Sequence, residues 1–177
     1  LCGFTSSHQH NHLLELGEYA AMYLFSWSPA LWQTARENHL FQTFEEVERN
    51  QLIHLDSPLD RIKLKNEFEE QTVDLVLFEQ SLPKVRRLLA NLPVYMIFDD
   101  HDITDDWNLS KEWKEKVYGR PLGRHTIANG LTAYFAFQGW GNDPDSFKSL
   151  FIKQISTLQY VCTIGNHFIG IHVTLCT

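Results

Sequence analysis

Five carboxylates and one imidazole fall within a few residues of each other: Asp99, Asp100, His101, Asp102, Asp105 and Asp106. Acids this dense repel one another at neutral pH, because each like charge raises its neighbours' pKa and each group must also be desolvated. A hard divalent or trivalent cation held by oxygen ligands removes that repulsion. The imidazole adds a group that can give or take a proton near neutrality. The chemistry expected of the stretch is cation binding beside a proton donor. A plainer reading is a solvated acidic loop that ends a strand. His101 amid the acids and Trp107 directly after them weigh against it, since a solvated charge run seldom carries a large aromatic.

Something must deliver these groups together, and the residues before them name a candidate. Val94 to Phe98 is an uninterrupted apolar run with Pro93 ahead of it, the pattern of a strand buried on both faces. Lys84 to Ala90 before it has Val85, Leu88 and Leu89 on one helical face, and Asn91-Leu92-Pro93 ends that helix. A helix running into a buried strand is half of an α/β unit. The expected fold class is therefore α/β, with the acids leaving the end of a core strand.

The run Phe98-Asp99-Asp100-His101-Asp102-Ile103-Thr104-Asp105-Asp106-Trp107-Asn108 resembles the signature of the PhoD-like (alkaline phosphatase D) metallophosphoesterases. In that family a core strand ends in Asp-Asp-His-Asp/Glu, followed by a paired Asp/Asn and a Trp. Leu16 to Phe25 with Trp27, Pro29 and Trp32 is similar to the helical region before the family motif. Asn129 to Tyr134 with Phe137 to Asn142 resembles the region after it. The resemblance implies a helix-rich fragment of a metallophosphoesterase-type β-sandwich flanked by helices. It also implies two metal ions, calcium and iron in the family, and a phosphate-ester substrate hydrolysed by metal-activated water. On this reading Asp99, Asp100 and Asp106 supply metal ligands, His101 is the general acid and Asp102 holds its tautomer. The family's Gly-Asp and Gly-Asp-x-His motifs do not occur here, and Leu175-Cys176-Thr177 stands where an acid is expected. The chain thus reads as an internal fragment of a longer enzyme, with part of the site missing.

Arg120 and Arg124 follow the cluster closely in sequence. They fit either a phosphate clamp, two guanidinium donors meeting two phosphate oxygens, or ion pairs with Asp105 or Asp106. A second enzymatic frame is the haloacid dehalogenase pattern Asp-x-Asp-x-Thr over Asp100, Asp102 and Thr104, with Asp100 as nucleophile. That motif normally opens its domain, whereas here more than half the chain precedes it. An EF-hand reading fails, because counting from Asp100 puts Asp105 at the glycine position and Lys111 at the final glutamate. A third reading is an inert fragment or a binding module with a weak cation site.

The remaining sequence bounds these readings. A chain of 177 residues can bury one core, so a single partial domain is expected. Residues 1–91 form its helical layer, 92–109 the core strand and metal loop, 110–157 a helical segment and 158–177 a β-hairpin. The net charge of -7 disfavours binding along a nucleic-acid backbone. No apolar run is long enough to span a bilayer, and no signal peptide is visible. Cys2, Cys162 and Cys176 are too scattered for a disulfide framework, which makes a reducing, cytoplasmic compartment the expectation. His8, His10 and His12 alternate, but no Cys or carboxylate nearby completes a metal set, so they read as a polar lead-in to a helix. Expected helices cover Leu13–Phe25, Ser28 to about His39 with Ser28 as cap and Pro29 in the first position, Phe41–His54 up to a break at Asp56-Ser57-Pro58, Asp60–Gln80 up to a second break at Ser81-Leu82-Pro83, Lys84–Ala90, Lys111–Val117 with Ser110 as cap, His125–Phe137 and Pro144–Ile155. Gly165-Asn166 reads as the turn of a hairpin between Leu158–Ile164 and His167–Leu175, and not as part of a metal motif.

Overall fold

The computed structural model describes residues 2–6, 12–53, 55, 57–148, 153 and 156. In chain order the main helices are α1 (Leu16–Trp27), α2 (Ala30–Glu37), α3 (Phe44–Arg49), α4 (Pro58–Asn91), α5 (Lys111–Tyr118) and α6 (Pro121–Tyr134). A 3₁₀ turn at Asp100–Asp102 and a π-helical turn at Phe135–Gly139, which runs on into Trp140–Asn142, complete the central part. Among the described residues there is no strand, and the architecture is all-α. This overturns the expected α/β class and the β-sandwich. The expected hairpin over 158–177 lies outside the described residues, as do His8, His10, Cys162, Cys176 and half of the helix expected from Pro144 to Ile155. What is described of that helix is a 3₁₀ turn at Pro144–Ser146, Phe147 and Lys148 in no regular element, and Lys153, which is helical.

The decisive departure is at Val94–Phe98. The segment is not helical, but no neighbouring strand pairs with it among the described residues. On one face Tyr95 is 80% exposed and Ile97 91% exposed, and on the other Val94 is exposed and Met96 and Phe98 are only half-buried, so neither face is buried as a core strand requires. The Met96 N–H donates to Asn142 Oδ1 at 2.8 Å, and Asn142 Nδ2 donates back to the Met96 carbonyl. One side-chain amide thus does the work of a neighbouring strand for a single residue. An apolar run states that a segment is hydrophobic; whether another strand lies alongside depends on residues far away in sequence.

The chain divides into two compact units, Leu1–Met22 with Val94–Thr177, and Tyr23–Pro93. In the second unit α2 and α3 pack on α4. Trp32 is buried, with ring centroids 5.5 Å from Phe41 and 6.0 Å from Phe78, and its Nε1 donates to the Phe25 carbonyl at 2.8 Å. Phe44 meets Phe68 edge-on at 5.8 Å. Ion pairs join Arg61 to Glu48, Lys65 to Glu45 and Arg36 to Glu79. The six residues of α3 are too few to hold a helix by themselves. A capping box fixes the start: Glu46 N donates to Thr43 Oγ1, and Thr43 N donates to Glu46 Oε2.

Helix α4 runs 34 residues and passes through Pro83, where a break was expected. Proline inside a helix removes one hydrogen bond and costs about 3 kcal/mol. Its neighbour Leu82 is fully buried, and the Ser81 hydroxyl donates to the Phe78 carbonyl at 2.6 Å. The burial of Leu82 directly before the proline helps to carry the helix across it.

In the first unit α5 and α6 form the floor beneath the acidic stretch. Trp113 and Val117 of α5, and Ile127 and Ala133 of α6, are buried. Ser110 caps α5 as expected, its hydroxyl accepting from Trp113 N at 3.0 Å. Helix α6 begins earlier than expected because Pro121 takes its first position, where the missing N–H costs nothing.

Candidate cation site

The acidic stretch is built around a buried pair. Ile103 and Thr104 are 4% and 2% exposed, so the chain dips into the unit between two groups of acids. Ile103 lies against Gly130 of α6 so closely that a Cβ there would come within 2.6 Å of it. Thr104 Oγ1 is 3.0 Å from Ser6 Oγ. Before this anchor the chain makes the 3₁₀ turn, closed by Ile103 N donating to Asp100 O at 3.0 Å and Thr104 N to the same oxygen at 2.8 Å. After it, Asp106 and Asn108 both take left-handed backbone, φ 59° in each case, a conformation that Asp and Asn tolerate better than most residues.

The turn gathers the first acids. His101 Nδ1 lies 3.0 Å from Asp100 Oδ1 and 3.3 Å from Asp99 Oδ2, and Nε2 lies 3.8 Å from Asp105 Oδ1. One ligand atom from each of Asp99, Asp100 and His101 lies within 4.8 Å of the others. Three carboxylates therefore surround one imidazole. The charge of Asp100 is the largest influence on His101 and holds its pKa above the ordinary imidazole value, although desolvation works the other way. For Asp100 desolvation pushes upward. The hydrogen bond with Asp99, the charge of His101 and the N–H groups of His101 and Trp107 together outweigh it and hold the group below the usual carboxylate range.

The other expected site residues are placed differently. Asp102 accepts from the Asp99 backbone N–H at 3.3 Å, closing its own turn, and partial burial raises its pKa. The carboxylates beside the His101 ring are those of Asp99, Asp100 and Asp105. Asp106 accepts from Thr5 Oγ1 at 2.9 Å and is not in the cluster. Arg120 donates to the Lys116 carbonyl at 3.3 Å and Arg124 to the Tyr118 carbonyl, so both cations sit at the carbonyl-rich end of α5, where the helix dipole favours them. Trp107 packs edge-on against Phe98 at 5.1 Å and donates to Tyr118 Oη at 3.2 Å.

No family model, curated protein or solved structure matches this chain. The site must be judged on its own geometry. Carboxylate oxygens with one imidazole nitrogen suit hard and borderline divalent cations. Among the described residues Asp99, Asp100 and His101 form one such cluster. Sequence reasoning missed the anchors Thr5, Ser6, Ile103, Thr104 and Gly130. The available signal was the uncharged pair Ile103-Thr104 interrupting a run of acids, since only a reason to be buried puts isoleucine there.

Proposed function

We propose that this chain carries the cation-binding corner of a metal-dependent phosphoesterase of the PhoD-like kind. The observation that supports it is the convergence of Asp99, Asp100 and His101 within 4.8 Å, which are two of the three ligands that the family resemblance implies, beside its general acid. Asp99 and Asp100 would hold the cation through carboxylate oxygens. A bound cation supplies charge to polarise a phosphate ester and to lower the pKa of water. His101, kept protonated by its acidic neighbours, is suited to give a proton to the leaving oxygen. Asp105 faces its Nε2 and would orient the ring. Arg120 and Arg124 are occupied with the end of α5, and a phosphate-binding role for them would require those bonds to break.

The test pairs calcium, manganese or iron titration with hydrolysis of a chromogenic phosphodiester, on wild type and on Asp100→Asn and His101→Ala. Saturable cation binding is expected of this chain, and cation-dependent hydrolysis of a chain that also carries the family's Gly-Asp and Gly-Asp-x-His motifs, with Asp100→Asn weakening binding and His101→Ala lowering the rate more than the affinity. Binding without hydrolysis would reduce the reading to a cation-binding module. Hydrolysis untouched by His101→Ala would remove His101 from it.

A further inference from the structure

Helix α4 meets Trp32 of α2 through Phe78 and Phe44 of α3 through Phe68, and Leu82 is buried on the same side, yet the opposite side is not wholly polar. Ile62, Val73, Leu77 and Leu88 lie along that side at helical spacing, and each is more than half exposed. Between them on the same stripe stand Asn66, Glu70, Gln80 and Lys84, all exposed. Successive members of the stripe are three or four residues apart, and the order of the spacings reads the same from either end, with Leu75 at the midpoint.

A stripe with this symmetry is complementary to itself when reversed. Laid antiparallel about Leu75, one helix sets Val73 on Leu77 of the other and Ile62 on Leu88. It also sets Asn66 against Lys84 and Glu70 against Gln80, with Lys84 one turn away from Glu70 across the seam. Each apolar residue meets an apolar one, and acid lies near base twice over. A parallel pairing would instead put Glu70 on Glu70 and Lys84 on Lys84, which repel. We propose that this face of α4 is the dimer interface between two copies of this chain, joined antiparallel around a two-fold axis. Two-fold pairs of this kind, with the same patch used by both partners, are the commonest form of protein self-association. At about 1.5 Å per residue α4 is about 51 Å long, long enough to bury such a stripe along several turns.

The test is the mass of the chain in solution, by sedimentation velocity and light scattering across the micromolar range. Wild type is expected to dimerise reversibly. Leu77→Glu should raise the dimer Kd at least about tenfold, since it places a charge at the centre of the seam in both copies. Leu40→Glu, an exposed leucine off the stripe, should leave it unchanged. Because Leu77 is exposed, circular dichroism should show Leu77→Glu as helical as wild type. Lys84→Glu should weaken the dimer, and Glu70→Lys combined with it should restore association. A monomeric wild type, a dimer insensitive to Leu77→Glu, or a failure of the charge exchange to restore pairing would each overturn the proposal.

Discussion

The close approach of α6 to Ile103 makes Gly130→Ala a sensitive probe of the acidic stretch's anchor. A Cβ at position 130 would lie 2.6 Å from both Cγ1 and Cδ1 of Ile103, and 3.1 Å from Cγ2. Ile103 branches at Cβ, so its χ1 is stiff and it cannot swing both γ carbons clear. Overpacking of this kind costs about 1–3 kcal/mol. Alanine in place of glycine inside a helix returns about 0.5–1 kcal/mol. Gly130→Ala should thus range from neutral to destabilising by about 2 kcal/mol. Ile103→Ala alone should cost about 2–5 kcal/mol, as for other buried large-to-small changes. In that background the clash is gone, and Gly130→Ala should now stabilise by about 0.5–1 kcal/mol. The two changes should therefore couple by about 1–3 kcal/mol in a double-mutant cycle. Urea unfolding followed by circular dichroism reads each midpoint. If Gly130→Ala stabilises wild type and the Ile103→Ala variant equally, Ile103 does not rest on α6 and the anchor is wrong.

Two further outcomes test other parts of the structure. Ile97, 91% exposed, should accept Ile97→Asp with a change in unfolding free energy within about 0.5 kcal/mol; a loss of several kcal/mol would mean that the segment is buried after all. His101 should titrate above the ordinary imidazole value by NMR, and Asp100→Asn should bring its midpoint down, because Asp100 is its largest electrostatic partner. A raised pKa means the folded chain holds the proton more tightly than the unfolded one. The resulting stability is present in full below the ordinary imidazole pKa and is lost as pH rises through the raised pKa of His101, so the effect of Asp100→Asn on melting should shrink at alkaline pH. An unmoved midpoint in Asp100→Asn would count against the contact.

Local chemistry was legible wherever a few neighbouring residues decide the outcome. Ser110 was readable as the cap of α5 because the bond it makes reaches only to Trp113. The Ser-Pro signature was read at Ser28-Pro29 as a helix start, and there Pro29 takes helical backbone (φ -73°, ψ -9°) while the Ser28 hydroxyl accepts from Ala30 N at 3.3 Å. At Ser57-Pro58 the same pair does cap a helix, with Ser57 Oγ accepting from Asp60 N at 3.2 Å, where the sequence had been read as a break. Proline at position 83 was read as another break, and local propensity there yields to the burial of Leu82. The fold class was illegible for a related reason: whether Val94–Phe98 joins a sheet depends on distant partners, and the group that pairs with Met96 is a side chain 46 residues away.

The acidic residues themselves were legible, but their mutual repulsion does not by itself call for a metal. Dense acids require a positive charge, and a metal is one way to supply it. His101 is another. With Asp99 and Asp100 at Nδ1 and Asp105 facing Nε2, an imidazolium already offsets part of the repulsion that the sequence assigned to a cation. The two neutralising charges compete, because an ion that used Nδ1 would have to displace a proton which Asp100 makes harder to remove. A cation bound through the carboxylates of Asp99 and Asp100 alone would leave the proton on the ring, and only that arrangement keeps His101 available as an acid. The proposed phosphoesterase chemistry therefore requires oxygen-only coordination at this corner, which favours a hard ion such as calcium over one that seeks nitrogen.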